Sequence, residues 1–175
     1  MLKTAHALIP MLERESAPSE LATAWRLVAQ IQGIAGRYQL ASEAAERSIE
    51  CARQAGNERL VAKSSRVLSS TALLGPMPVA QAIAQCEQLI AGGLGDRQIE
   101  CNVMGMLAQL RAMNGELGVA RALYQRARAM LRELGQGVDA AATGFDLAQV
   151  ELLGGDLALA EREVRTDYEA LEKMG

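Results

Sequence analysis

The fold is decided by the stretch from Asp96 to Gly135, which reads DRQIECNVMGMLAQLRAMNGELGVARALYQRARAMLRELG. It contains two runs of good helix formers, mostly Ala, Leu, Arg, Met, Gln and Glu. Each run ends at a glycine, Gly115 or Gly135, and glycine ends helices well because it takes a left-handed backbone at no steric cost. The stretch therefore predicts an antiparallel pair of helices.

This pattern recurs along the chain in two series of glycines, each with spacings of 39, 40 and 40 residues. The first series is Gly36, Gly75, Gly115 and Gly155, and the second is Gly56, Gly95, Gly135 and Gly175. The second series follows the first by 20 residues each time. A regular internal period of this length is typical of repeat proteins, so the chain is predicted to be a stack of helical hairpins.

Other positions repeat in the same frame. Small residues, which let helices approach closely, follow each glycine of the first series by five positions, at Ala41, Ala80, Ala120 and Ala160. Mostly small residues also precede it by seven positions, at Ala29, Leu68, Ala108 and Ala148. Helices are predicted at about 19–35, 38–55, 58–74, 77–92, 97–114, 117–134, 138–154 and 157–173. Capping side chains are expected at four helix starts, Ser19, Asn57, Asp96 and Asp156.

The chain is predicted to be a single domain, residues 1–175. The apolar spacing of residues 1–15 predicts a further helix, distorted by Pro10, that takes the place of half a hairpin. The repeats are predicted at about 19–56, 57–95, 96–135 and 136–175.

These positions resemble the tetratricopeptide repeat (TPR), in which a bulky residue, a small one, a glycine and an alanine follow in order. The matching residues of the first repeat are Trp25, Ala29, Gly36, Tyr38, Ala41 and Ala45, and those of the third are Met104, Ala108, Gly115, Ala120, Tyr124 and Ala127. The usual period is about 34 residues, so we expect longer helices here. The resemblance implies an all-α, right-handed α-α superhelix of antiparallel hairpins with about nine helices.

The last segment, ELLGGDLALAEREVRTDYEALEKMG at 151–175, resembles the C-terminal repeats of large bacterial signalling proteins. Those proteins carry an ATPase module, often with an adenylate or guanylate cyclase domain or a transcription-regulator domain. The resemblance implies a regulatory context in the cytoplasm and no activity of this segment. The chain is also expected to continue beyond both ends, and the apolar stripe of Val164, Tyr168, Leu171 and Met174 predicts weak self-association through terminal helix faces.

Composition argues against several functions. The net charge is −3 with 3% aromatic residues, whereas nucleic-acid binders need basic surfaces and stacking side chains. No apolar run is long enough for a membrane span. Three widely spaced cysteines and the lone His6 fit no metal or nucleophile pattern, so we expect buried thiols, no metal, no cofactor and no enzymatic activity.

The function predicted instead is partner binding on the concave face, which the first helix of each hairpin lines in the TPR family. Carrying that register across predicts contact residues Thr23, Arg26, Gln30, Ser65, Ser69, Asn102, Gln109, Phe145 and Gln149. Four of them, Gln30, Ser69, Gln109 and Gln149, form a polar column. This column is either a ladder that hydrogen-bonds an extended peptide or a helix, or an ordinary solvated helix face. A freestanding adaptor and a sensor of small ligands or peptides remain as alternatives.

Two groups of side chains are given structural roles. The acidic residues Glu161, Glu163, Asp167 and Glu169 are expected to be surface charge, with Glu161 paired to Arg165 along the helix. Four methionines are expected to fill gaps in the core, namely Met104, Met106, Met113 and Met130.

Overall fold

The structure, a computed structural model, describes residues 2–174 without the side chains of Leu2, Lys3 and His6, so the expectations for His6 and Gly175 lie outside it. Nine α-helices and no strand occur in this part of the chain. They are α1 (Leu2–Arg14), α2 (Pro18–Ile34), α3 (Tyr38–Gln54), α4 (Glu58–Leu74), α5 (Val79–Ala91), α6 (Arg97–Met113), α7 (Leu117–Glu133), α8 (Gly137–Leu153) and α9 (Leu157–Met174). The predicted bounds of α2–α9 agree with these to within two residues. The helix α1 runs through Pro10.

Consecutive helices pack against each other and form a solenoid. The first helices of successive pairs, α2, α4, α6 and α8, also contact one another, whereas the second helices, α3, α5, α7 and α9, make no such contact among the described residues. A stack is closer together on its inner side, so α2, α4, α6 and α8 line the concave face. This is the face to which the predicted contact residues belong.

Six of the eight turns between the described helices share one geometry. After α2, the Gly36 N–H bonds the Gly33 carbonyl at 3.0 Å and the Arg37 N–H bonds the Gln32 carbonyl at 2.9 Å, while Gly36 has a φ of 71°. This is the Schellman motif. The same bonds and a positive φ occur at Ser16, Gly56, Gly115, Gly135 and Gly155.

The turn between α4 and α5 departs from this pattern. Gly75 has a φ of −90°, and residues 76–78 lengthen the turn, so α5 begins two residues later than expected, at Val79. The expectation that Ala80 lies where two helices approach closely is wrong, because this shift leaves Ala80 exposed. Ala82, two residues further on, is fully buried in its place.

Small and aliphatic side chains fill the core. Ala29, Leu68, Ala108 and Ala148 are all buried, as are Ala41, Ala120 and Ala160. A buried serine joins three helices, since the Ser48 hydroxyl donates to the Ala22 carbonyl at 2.7 Å and lies 2.7 Å from the Ser64 hydroxyl. The three cysteines are buried, as expected. Met104 is buried, but the expectation for Met113 is wrong, since it is exposed at the end of α6.

Three of the four predicted helix caps are present. The side chains of Asn57, Asp96 and Asp156 accept bonds from backbone N–H groups of α4, α6 and α9, at 2.9–3.1 Å. Ser19 is wrong as a cap because α2 already begins at Pro18 and has Ala17 at its N-cap. The Ser19 hydroxyl instead accepts a bond from the Asn57 amide at 3.2 Å.

The acidic residues of α9 do not all lie on the surface, which corrects the prediction. Asp167 is buried and Glu163 is half-buried, and both face Arg128 of α7, at 3.4 and 3.5 Å. The Arg128 Nε also donates to the Thr143 hydroxyl of α8 at 2.9 Å. Arg128 thus joins three helices. The expected pair of Glu161 and Arg165 is present and exposed.

Candidate partner-binding groove

On α2, the predicted contact residues interact with their own helix. The Thr23 hydroxyl donates to the Ser19 carbonyl at 3.0 Å, and the Arg26 Nη1 donates to the Gln30 Oε1 at 3.1 Å. Thr23 is exposed, whereas Arg26 and Gln30 are half-buried. The hydrogen-bonding capacity of these side chains is therefore partly used within α2.

On α4, two predicted contact residues are wrong. Ser65 and Ser69 are fully buried, and the Ser69 hydroxyl donates to the Arg66 carbonyl and to the Met106 sulfur, both at 3.0 Å. Small side chains let α4 pack closely against α6, which removes both hydroxyls from the surface. The predicted polar ladder is interrupted at this repeat.

On α6 and α8, the structure brings two predicted residues, Asn102 and Gln109, into one groove. The groove has a volume of about 360 Å³. We call it the α6/α8 groove, and it is lined by Leu73, Gln98, Cys101, Asn102, Gly105, Met106, Gln109, Tyr124, Ala127, Leu131, Asp139, Ala142, Thr143 and Asp146. Phe145 and Gln149 are exposed on α8 beside it and are not part of its lining.

The α6/α8 groove carries negative charge. Two of its lining residues, Asp139 and Asp146, are acidic, and none is Lys, Arg or His. The Gln109 amide donates to the Asp146 carboxylate at 3.3 Å. Desolvation raises the pKa of Asp146 above its usual range, since burial disfavours the charged form. A cation entering the groove would stabilise that carboxylate.

Tyr124 forms the floor of the groove. It is 2% exposed, and its hydroxyl has no hydrogen-bond partner. Burial raises the pKa of this phenol, and the charge of Asp146 raises it further. Gln109 lies close enough to lower that pKa, but the two groups do not meet hydrogen-bond geometry. The ring lies next to Gly105 of α6, where an added Cβ would make ordinary contact with the Tyr124 Cε1 at 3.6 Å.

Sequence reasoning missed Asp139 and Asp146, and it named Tyr124 only as a residue that matches the TPR pattern. Asp146 had a signal, since it is a charged residue between Phe145 and Leu147 on a helix with an otherwise apolar centre. The burial of Tyr124 and the approach of the two helices are tertiary features that have no local signature.

An apolar rim runs along the concave face where the first helices end. It consists of exposed side chains at the C-terminal end of each, namely Ile34, Leu74, Met113 and Leu153. Ile34 is 89% exposed. Next to the α6/α8 groove, Met113 and Leu153 line a second depression, of about 350 Å³, which also contains Gln109. Gln109 lines both depressions, so the two are adjacent on the concave face.

Reactive groups are scarce in the described part of the chain. No group of three or more His, Cys, Asp or Glu is arranged to hold a metal there. Burial raises the pKa of the three thiols, that of Cys86 to about 11, which disfavours the nucleophilic thiolate. None of the described helices is both long and apolar enough to cross a membrane.

Comparison with known proteins identifies the fold. No family model and no curated protein matched the chain. The solved structure of BtubC (BKLC) from P. vanneervenii is 21% identical, with a TM-score of 0.66 over 99% of this chain and 74% of that one. The TPR-like repeats of a candidate kinesin light chain from Podosopora anserina are 16% identical, with a TM-score of 0.61 over 99% and 95%. These similarities confirm an all-α, TPR-like solenoid.

Proposed function

We propose that this chain is a protein-interaction module, a single domain over residues 1–175, that binds an extended partner segment along its concave face. The α6/α8 groove carries the proposal, because Asn102, Gln109 and Asp146 line an open depression between packed helices. The adjoining apolar rim offers Met113 and Leu153 to the same partner. Helical-repeat solenoids present long concave surfaces of this kind for binding.

A substitution that fills the groove tests the proposal. Ala142 is exposed and lines the α6/α8 groove, whereas Ala122 is exposed on α7 and does not. We expect Ala142→Arg to abolish binding of peptides selected from a random display library, because the long side chain occupies the groove. The matched variant Ala122→Arg should bind them like the unchanged protein. Circular dichroism checks that both variants remain helical.

Either of two results would contradict the proposal. The library could yield no peptide that binds the unchanged chain, or the selected peptides could bind both arginine variants equally well. The second result would place the binding surface elsewhere on the solenoid.

We place this module within a larger bacterial signalling protein of the cytoplasm, where it has a regulatory role and no catalytic activity of its own. The resemblance of residues 151–175 to the repeats of such proteins supports this context. An antibody raised against the segment would then detect a native product several times heavier than 18.7 kDa. A product near that mass would instead indicate a freestanding adaptor.

Weak self-association is a further part of the proposal. The side chains of Val164, Tyr168, Leu171 and Met174 on α9 are all exposed, and an exposed apolar stripe favours association. Light scattering should show a mass that rises with protein concentration. A constant monomer mass at high protein concentration would contradict the proposed self-association.

A small-ligand sensor is the second candidate, and the groove volume favours it. About 360 Å³ lies within the range of small-molecule sites. A ligand that binds only the folded state raises the melting temperature, so a metabolite panel in a thermal-melt assay tests it. A metabolite that raises the melting temperature of the unchanged protein but not that of Ala142→Arg would support the sensor. If no metabolite raises the melting temperature, the peptide-binding module is the supported function.

A further inference from the structure

The α6/α8 groove combines two features that a purely structural cleft does not need. Asp139 and Asp146 place two carboxylates along a lining without a cationic side chain. Arg128 donates to Thr143 of the lining, but its guanidinium also faces Glu163 and Asp167 of α9. The carboxylates of the groove are therefore not neutralised from within.

The second feature is the Tyr124 hydroxyl, which is buried without a partner at the floor of the same groove. Leaving a buried polar group unpaired is destabilising, because the group loses its hydrogen bonds to water without replacing them. The Gln109 amide donates to the Asp146 carboxylate at 3.3 Å, and Gln109 also lies close to the Tyr124 side chain. A ligand that took over Asp146 would free Gln109 to turn to Tyr124.

We propose that the α6/α8 groove recognises a basic side chain, lysine or arginine, of the partner segment. The inference rests on the proposed function and names the chemistry that the groove selects. The ammonium or guanidinium group donates to the Asp146 carboxylate in place of the Gln109 amide. Gln109 then pairs with the Tyr124 hydroxyl, so binding satisfies the group that is unpaired in the free protein.

The geometry of the groove also predicts which type of residue lies near the basic residue in the partner segment. From Gln109 to Met113 is four residues along α6, or about 6 Å at the rise of an α-helix. Two residues of an extended peptide span about 6.6 Å. A partner whose basic side chain lies at Asp146 can therefore place the side chain two positions away on Met113 and Leu153. The preferred partner is an extended segment with an apolar residue two positions from a lysine or arginine.

The test is a selection of capped random heptapeptides on the purified chain, followed by affinity measurement of the enriched peptides. We expect lysine or arginine two positions from an apolar residue. Replacing the lysine of a selected peptide by norleucine, which keeps the chain and removes the charge, should weaken binding by about tenfold or more, the range for a hydrogen bond to a charged group.

Two variants within the groove and one control variant outside it connect this preference to the groove. Asp146→Asn keeps the shape and removes the charge, so it should weaken the lysine peptide about tenfold and leave the norleucine peptide unchanged. Glu169→Gln removes the same charge from an exposed position on α9 and should change neither. Tyr124→Phe should weaken the lysine peptide without lowering the melting temperature.

The outcomes separate this inference from the proposed function. Selected peptides without a basic preference, or equal affinity of a lysine peptide for the unchanged chain and Asp146→Asn, would overturn the inference, while blockage by Ala142→Arg would leave the groove as the binding site. Failure to select any peptide would overturn both.

Discussion

At the scale of single residues, Ser16 occupies a backbone conformation that five equivalent turns give to glycine. Its φ is 51°, and the left-handed region costs a residue with a side chain about 1–2 kcal/mol. We predict that Ser16→Gly raises the free energy of unfolding by about 0.5–1 kcal/mol, since glycine removes the strain but gains freedom in the unfolded chain. Urea denaturation followed by circular dichroism measures this difference.

The reciprocal change is the control. Gly36 has the same role with a φ of 71°, and a Cβ there would meet nothing within 4 Å. Gly36→Ser should therefore destabilise the protein through the backbone alone, by about 1 kcal/mol. If Ser16→Gly were neutral or destabilising, the positive φ of Ser16 would not describe the folded protein.

The raised pKa of Asp146 predicts that the stability of the protein depends on pH. Burial raises its native pKa above the unfolded value of about 3.9, so its contribution to stability is fully present below that value and is lost as pH rises through the native pKa. Asparagine stays neutral throughout. We therefore expect Asp146→Asn to melt at a higher temperature than the unchanged protein at pH 7, with a difference that disappears below about pH 3.9.

Thermal melts of both proteins from pH 3.5 to pH 7 provide the measurement. Glu169→Gln, a charge change at an exposed position, should show no comparable pH-dependent gain. Equal or lower melting of Asp146→Asn at pH 7 would mean that the carboxylate is stabilised in the fold, and its assignment to a binding role would lose its physical basis.

At the scale of helices, the docking of α9 on α8 depends on the missing side chain of Gly144. A Cβ at Gly144 would overlap the Asp167 carboxylate and lie 2.8 Å from the Arg128 Nη2. We predict that Gly144→Ala lowers the free energy of unfolding by about 2–4 kcal/mol, because it combines overpacking with the displacement of a buried ion pair. Urea denaturation measures the loss.

Gly105→Ala is the matched control inside α6. Its Cβ would make ordinary contact with Tyr124 at 3.6 Å, and alanine favours a helix interior over glycine by about 1 kcal/mol. This variant should be as stable as the unchanged protein or more stable. Similar stability of the two alanine variants would show that α9 can move away from α8 at little cost.

The positions of the helices could be predicted because the signals that end them are local. Five of the six Schellman turns have a glycine at the position of positive φ, and two of these glycines, Gly56 and Gly155, are followed directly by a capping side chain, Asn57 and Asp156. The two-residue shift of α5 was missed because residues 76–78 form a turn of another type. The burial of Asp167 was missed because its partner, Arg128, comes from a helix distant in sequence.

The groove was predicted less completely than the helices. Asn102 and Gln109 were found because the repeat register assigns them to the concave face. Ser65 and Ser69 were assigned to the same face, but their small size lets α4 and α6 close over them, and register alone does not measure that separation. Asp146 lies one position after the predicted Phe145, so it belongs to the wall of the groove and not to the expected column.

At the scale of the whole molecule, the two halves are held together differently. Helices α2–α4 pack through small buried side chains, such as Ala22, Ala45 and Ser48. All ion pairs that join two described helices lie in the half formed by α5 to α9. The pair of Arg111 with Glu116, the residue before α7, belongs to the same half. Glu151, 1% exposed, pairs with Arg121 within this half.

This asymmetry predicts a salt effect confined to one half. At 1 M salt the screening length falls to about 3 Å, which weakens the exposed pairs. Amide hydrogen exchange should therefore accelerate in α6–α9 relative to α2–α4 when NaCl is raised from 0.05 to 1 M. The variant Glu133→Gln, which removes the exposed pair with Arg97, should reduce the effect. A uniform change along the chain would contradict the prediction.

The uniform turns also have a consequence for how such a chain can lengthen by duplication. Because the turn within a hairpin and the turn between hairpins have the same geometry at Gly115 and Gly135, a gene could gain or lose one helix of 20 residues without creating a new kind of junction. Such an event would exchange the inner and outer helices downstream of it. Only steps of 40 residues keep α6 and α8 on the same face, so a duplication that preserves the α6/α8 groove has to add or remove whole hairpins.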